Sequence, residues 1–159
     1  MILQRVISGG QTGADRAGLI AAKAAGIPTG GWMPHGFRAH DGPHPEFAAL
    51  YGIRETTSDR YQARTRMNVR ESDATLRFAT DWGSPGEVLT LNLCRRYRKP
   101  HLDVTPGGSR GPAEVVAWLM ANRVRVLNVA GNSETTSPGI QEFVTEFLGE
   151  VFRLLRQAE

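Results

Sequence analysis

The sequence predicts an α/β protein, a Rossmann-like three-layer sandwich with a mostly parallel central sheet. Two observations carry that expectation. Short apolar runs alternate with longer segments of helical spacing along all 159 residues, and such alternation implies a parallel sheet buried on both faces. Three of the apolar runs lead into glycine-containing segments, where a doubly wound sheet carries its ligand loops, outside the carboxyl ends of the strands.

Taken in order, Leu3–Ser8 is a short apolar run and reads as the first strand. Asp15–Ala25 is alanine-rich and reads as a helix. Pro28–Met33 reads as a second strand. Pro34–Asp59 then loses periodicity, with Gly36, Gly42, Pro43, Pro45 and Gly52, and reads as a long loop of the kind usually kept for function. Helix is expected over Arg60–Arg70, strand over Ala74–Ala79, and helix over Glu87–Tyr97. A short strand at His101–Val104, a helix at Ala113–Asn122 and a buried strand at Val124–Ala130 follow. Ile140–Arg156 closes the chain as an amphipathic helix, with Phe143, Phe147, Val151, Leu154 and Leu155 at helical spacing. No repeat, low-complexity tract or linker interrupts this order, so residues 1–159 read as a single ligand-binding domain.

Composition narrows the function classes. Apolar residues make up 40% and charged residues 22%, ordinary for a soluble globular chain. No apolar run approaches the ~20 residues of a membrane helix. MILQRVIS lacks the order of a signal peptide. Cys94 is the only cysteine, which excludes an internal disulfide. These features fit a cytoplasmic protein. The formal charge is +3, carried almost wholly by arginine, since Lys23 and Lys99 are the only lysines. That charge is small, and no lysine-rich or aromatic-interleaved strip is present, which argues against a nucleic-acid partner.

Three glycine segments carry the expected site. They are Gly9, Gly10, Gln11, Thr12 and Gly13; Gly83, Ser84 and Gly86; and Gly131, Asn132, Ser133 and Glu134. Each leads toward a helix, whose first N–H groups are unpaired and attract anions. Together they are expected to cradle a phosphate-bearing ligand. Tyr61, Arg64 and Asn68 share one helix face. Arg64 would add charge, and Asn68 or Gln11 would bond the polar rim of a ring. The pattern is neither G-x-G-x-x-G nor a Walker A motif. Helix capping explains part of it: Thr12 with Asp15, Ser84 with Glu87 after Pro85, Gly111 with Pro112 and Glu114, and Ser137 with Pro138. Capping does not explain Gly9-Gly10, which suggests a backbone making room for something close. His35, His40, Asp41 and His44 fit no common zinc spacing, so no metal is assigned. Cys94 reads as a packed thiol. Trp82 is a candidate to flank a planar ring.

GGQTGADRAGL, GWMPHGFRAHDG, YQARTRMNVRESDATL and LNVAGNSETTSPGI occur in that order, from Val6 to about Phe147. They resemble the putative molybdenum carrier family, related to the YpsA-like branch of the Rossmann-like SLOG superfamily. The resemblance implies a ligand that is a phosphorylated pterin of the molybdenum cofactor (molybdopterin) type, or a nucleotide. It also implies a homo-oligomer, dimer or tetramer. The chain departs from the family where Asn132 follows Gly131 in place of a proline-arginine pair. It departs again where Gly83-Ser84-Pro85-Gly86 stands for the usual Gly-Gly-Thr turn. The related phosphoribohydrolases carry a glutamate that assists glycosidic cleavage; aligned on Gly83, this chain has Thr90 there.

Two readings follow. One is a binding or carrier protein for a small phosphorylated ligand, with Gly9–Gly13 and Gly131–Ser133 offering N–H groups to phosphate. The other is a nucleotide-processing hydrolase cleaving an N-glycosidic or phosphoester bond, with Asp15, Asp73, Glu87 or Glu134 as acid or base. Asp73 falls at the amino edge of its strand, which suits an orienting role.

Overall fold

A computed structural model describes residues 1–159. Its main sheet uses β1 (Arg5–Ser8), β2 (Thr29–Met33), β5 (Ile53–Glu55), β6 (Ala74–Phe78), β7 (His101–Val104) and β8 (Val126–Gly131). The order is β5-β2-β1-β8-β6-β7, and every neighbouring pair is parallel. The helices are α1 (Ala14–Ala24), α2 (Phe47–Tyr51), α3 (Tyr61–Glu71), α4 (Pro85–Arg96), α5 (Pro112–Ala121) and α6 (Ile140–Gln157). α1, α5 and α6 pack together on one face of the sheet, and α3 and α4 on the other. The three-layer α/β sandwich is thus the observed architecture.

Residue alternation makes the two faces chemically different. Leu76 and Phe78 of β6, with Leu127 and Val129 of β8, join Val144, Leu148 and Phe152 of α6 in a core of 23 buried residues. Thr75, Arg77 and Asn128 alternate with them and point the other way, toward α3 and α4, whose apolar core is only Val69, Leu93 and Cys94. The polar residues there pair with one another. Asn128 bonds the Thr75 hydroxyl at 3.2 Å, and Arg77 forks onto Asp103 at 2.8 Å through both Nε and Nη2. Trp82 lies with its ring 4.8 Å from the Arg77 guanidinium, so this indole covers an internal cation. Burial pushes the Cys94 thiol up, consistent with a packed sulfur.

The segment expected to be a loop is more ordered than its composition suggests. Pro34–Asp59 contains an antiparallel hairpin of β3 (Arg38–Ala39) and β4 (Gly42–Pro43), the short α2, and β5, which adds parallel to β2 as the sheet edge. β5 is only Ile-Arg-Glu, with one buried side chain, so it carries no readable period. Arg16 of α1 ties the hairpin down through Asp41, and this guanidinium holds the Asp41 carboxyl well below the usual range. At the opposite, amino edge, the Asp73 carboxylate accepts the Arg125 and Val126 N–H groups at 2.9 and 2.8 Å, which fixes the entry of β8 beside β6.

Two glycines hold the loops above the sheet. Gly131 has φ +152°, and a Cβ there would collide with the Phe78 carbonyl. Gly13 has φ +90°, and its Cβ would collide with the Asn132 carbonyl. Replacing Gly131 with Ala is expected to lower unfolding free energy by at least about 3 kcal/mol, from strain plus collision. Gly149→Ala, in an open stretch of α6, should raise it by about 0.5–1 kcal/mol. Urea melts of the two variants check the contrast.

Candidate functional site

The carboxyl ends of β1, β8 and β6 lie side by side at the centre of the sheet, where the strand order runs outward in both directions. Crevices open at such points. Here the crevice is a cavity of about 260 Å³ lined mostly by polar residues. Gln11 and Asp15 line it from the β1–α1 turn, and Tyr61, Arg64 and Thr65 from α3. Ser84–Glu87 and Thr90 line it from α4, and Gly131, Ser133 and Thr136 from the segment after β8. His40, from the hairpin tip, completes the lining, its backbone N–H bonded to Gln11 Oε1 at 2.9 Å.

Arg64 is the dominant cation. Its side chain is only 14% exposed, and its one ionic contact is Asp15, with Nη1 at 3.4 Å from Oδ2. It makes no hydrogen bond in the protein, and its Nε is buried without a partner. A buried donor left unpaired costs about 1–3 kcal/mol, so an arginine held this way calls for an acceptor. Gly9 creates the place for it: a Cβ at Gly9 would collide with the Arg64 guanidinium and approach the Asp15 carboxylate. What comes close to the Gly9 backbone is therefore the protein's own ion pair.

Asn132, 2% exposed, binds the loops together. Its Oδ1 accepts the Thr80 and Asp81 N–H groups at 2.9 and 3.0 Å. Its Nδ2 donates to the Asp81 carbonyl at 3.0 Å and to Glu87 Oε2 at 2.8 Å. Ser84 Oγ also donates to Glu87 Oε2, at 2.5 Å. Ser84 and Pro85 do start α4, as the sequence predicts. Glu87, however, turns to the Ser84 hydroxyl and Asn132 instead of closing a capping box on backbone.

Some of the expected phosphate donors are in use. Thr12 N–H goes to Gln11 Oε1, Gly13 N–H to Gln141 Oε1, and Gly10 N–H to Ser8 Oγ. Thr12 does not cap α1, whose N-cap residue is Gly13; its hydroxyl accepts the Glu134 N–H. Ser137 does not cap α6 either, which begins after Gly139; its hydroxyl accepts from Thr80. Three of the helices that start at this edge have an acid of their own. Asp15 stands in the first turn of α1 and Glu87 in that of α4. Glu134 accepts the Gly139 and Gln141 N–H groups at the start of α6. Free donors remain: the Gly9, Gln11 and Ser133 N–H groups, and the Gly86 and Glu87 N–H groups where α4 begins, have no protein acceptor, and a Cβ on Gly86 would meet nothing.

Of the residues expected at the site, Gln11, Arg64, Ser84, Gly86, Gly131 and Ser133 line the cavity. Gly9, Gly10, Thr12, Gly13, Gly83, Asn132 and Glu134 support the loops around it. Gly10 packs against Met33, and Gly83 N–H bonds Asp81. Asn68 lies elsewhere: its amide pairs with the Trp32 backbone at 3.0 and 3.1 Å, like one more strand against β2. Thr65 on α3, Thr90 on α4 and Thr136 in the turn after β8 also line the cavity; isolated hydroxyls leave no sequence signal. His44 is held between Asp41 and Glu46, and no group of three His, Cys, Asp or Glu is placed to hold a metal.

Asp15 and Glu87, each 4% exposed, share the cavity. Burial pushes Asp15 from its ordinary 3.8 up to about 6; Arg64 opposes this and the Glu87 charge adds to it. Burial also raises Glu87, against the hydrogen bonds from Ser84 and Asn132. For Asp15 the folded value lies above the unfolded one. Between pH 3.8 and about 6 the unfolded chain has lost a proton that the folded chain keeps, so stability falls as pH rises through that window and then levels. Asp15→Asn is expected to reduce this slope. Denaturant midpoints at pH 4, 5, 6 and 7 test it, and an unchanged slope would remove Asp15 from the account.

The model of the circularly permutated YpsA SLOG family matches residues 6–152. A solved structure described as a putative molybdenum carrier protein, from Syntrophus aciditrophicus SB, superposes with a TM-score of 0.85. It is 35% identical, and the match covers 95% of each chain. No curated protein matches.

Proposed function

Because the chain belongs to the circularly permutated YpsA SLOG family, we propose that it is a binding or carrier protein for a small phosphorylated ligand at the carboxyl edge of its sheet. One observation carries this reading. Arg64 is nearly buried beside a polar cavity at the switch point of the sheet, and none of its donors has a hydrogen-bond acceptor in the protein. The ligand class is a phosphorylated pterin of the molybdopterin kind or a nucleotide derivative. A pterin or a carbonyl-bearing base offers a ring carbonyl to Arg64 or the Gly86 N–H, and either class offers N–H or O–H groups to Glu87 Oε1, which carries no hydrogen bond. The likeness to a protein described as a molybdenum carrier favours the pterin. The reading includes a cytoplasmic homo-oligomer, dimer or tetramer, without a nucleic-acid or membrane partner; no helix is long and apolar enough to cross a membrane.

A second reading, a nucleotide-processing hydrolase, draws on the paired carboxyls. Asp15 and Glu87 are both raised and both line the cavity, the setting in which a carboxyl keeps a proton to donate near neutral pH. Asp73 and Glu134 lose their candidacy, since their carboxylates are spent on backbone N–H groups.

Native mass spectrometry of freshly purified protein separates the two. A carrier retains a co-purifying phosphorylated mass, and Arg64→Gln is expected to lose it; retention in that variant would refute the site. Turnover of nucleoside monophosphates that Glu87→Gln abolishes would establish the hydrolase instead.

A further inference from the structure

Charge is unevenly spread around the cavity. Inside stand two buried carboxyls, Asp15 and Glu87, against one guanidinium, Arg64. Gln11, His40 and Tyr61 line both this cavity and a second, shallower cleft of about 510 Å³. Arg38 of β3 and Arg60 just before α3 line the outer cleft, with Asp59 its one carboxylate. Both arginines are exposed, and neither side chain is engaged in a hydrogen bond or ion pair.

We propose that the ligand lies across both spaces with a fixed polarity: its phosphate sits outside between Arg38 and Arg60, and its uncharged, donor-bearing ring or sugar sits inside against Asp15 and Glu87. This rests on the reading that the carboxyl edge holds a phosphorylated small molecule.

A phosphate inside would stand in a low-dielectric space beside two carboxyls with a single guanidinium to offset three like-charged groups. The starts of α1, α4 and α6, which would draw it there, already face the acids Asp15, Glu87 and Glu134. An uncharged group meets no such penalty. Its N–H or O–H groups suit the unpaired Glu87 Oε1, and a ring carbonyl suits Arg64. Outside, the balance reverses: two arginines face one exposed aspartate, and the first turn of α3 beside them carries no acid. The outer wall is also held at a set distance from the inner one. Asp41 joins the hairpin to Arg16 of α1 by a 3.0 Å bond, and His40 N–H bonds Gln11, so Arg38 is carried on a segment tied to the cavity lining.

Titration of the full-length, ¹⁵N-labelled protein with inorganic phosphate tests the polarity. Saturable shifts are expected at the amides of Arg38, Tyr61 and Gln62 and not at Gly86, Glu87 or Ser133. Arg38→Ala combined with Arg60→Ala should weaken the apparent affinity at least tenfold while the spectrum stays dispersed. Shifts at Gly86, Glu87 and Ser133 would overturn the polarity while keeping the carboxyl-edge site. No saturable shift, or an unchanged affinity in the double variant, would overturn the outer phosphate position; the Arg64→Gln mass measurement judges the site itself separately.

Discussion

Three strands end at one point, and their following loops pass within backbone contact of one another. Gly13 against the Asn132 carbonyl and Gly131 against the Phe78 carbonyl are the two approaches that any side chain would block. This closeness brings α1, α4 and the segment before α6 around a single small space. Asn132 then makes the arrangement specific, since one buried amide satisfies two N–H groups, a carbonyl and the Glu87 carboxylate. The cavity is what remains between loops that are fixed to each other more firmly than to anything outside.

That geometry creates an electrostatic difficulty. Helix starts at one edge concentrate partial positive charge, and the chain answers it with Asp15, Glu87 and Glu134. Two of those acids are buried, so part of the dipole stabilisation is offset by desolvation, seen in the raised Asp15 and Glu87 values. Arg64 enters from the opposite layer and balances one of them. Arg77 supports the same corner from below: it donates to the Glu87 carbonyl at 2.9 Å while Asp103 holds its fork. The result is a cavity with both donors and acceptors on offer, suited to a polar ring more than to a bare anion.

The glycine segments were legible as a cluster at one edge, because strand–helix alternation fixes which loops share a side. Their partners were not. Ser84 and Glu87 stand three apart as in a capping box, yet the glutamate turns to a side chain from a residue 45 positions away in sequence. Gly9 signalled that something came near the backbone, and the near group proved to be an arginine from α3. Asn68 shares a helix face with Arg64, but the edge of β2 claims its amide, an interaction no local spacing encodes.

The sequence by itself determined the layers, the parallel sheet and the edge at which the loops gather. Those follow from periodicity and from residues whose backbone preferences are local. Tertiary structure alone decided the short edge strand β5, the centring of the last strand β8 between β1 and β6, and which polar groups remain unpaired. Whether a donor is free depends on what the rest of the fold brings within 3 Å of it. For Arg64 the fold brings a single carboxylate outside hydrogen-bonding geometry, and for the Gly10, Thr12 and Gly13 N–H groups of the first glycine turn it brings acceptors of the protein's own.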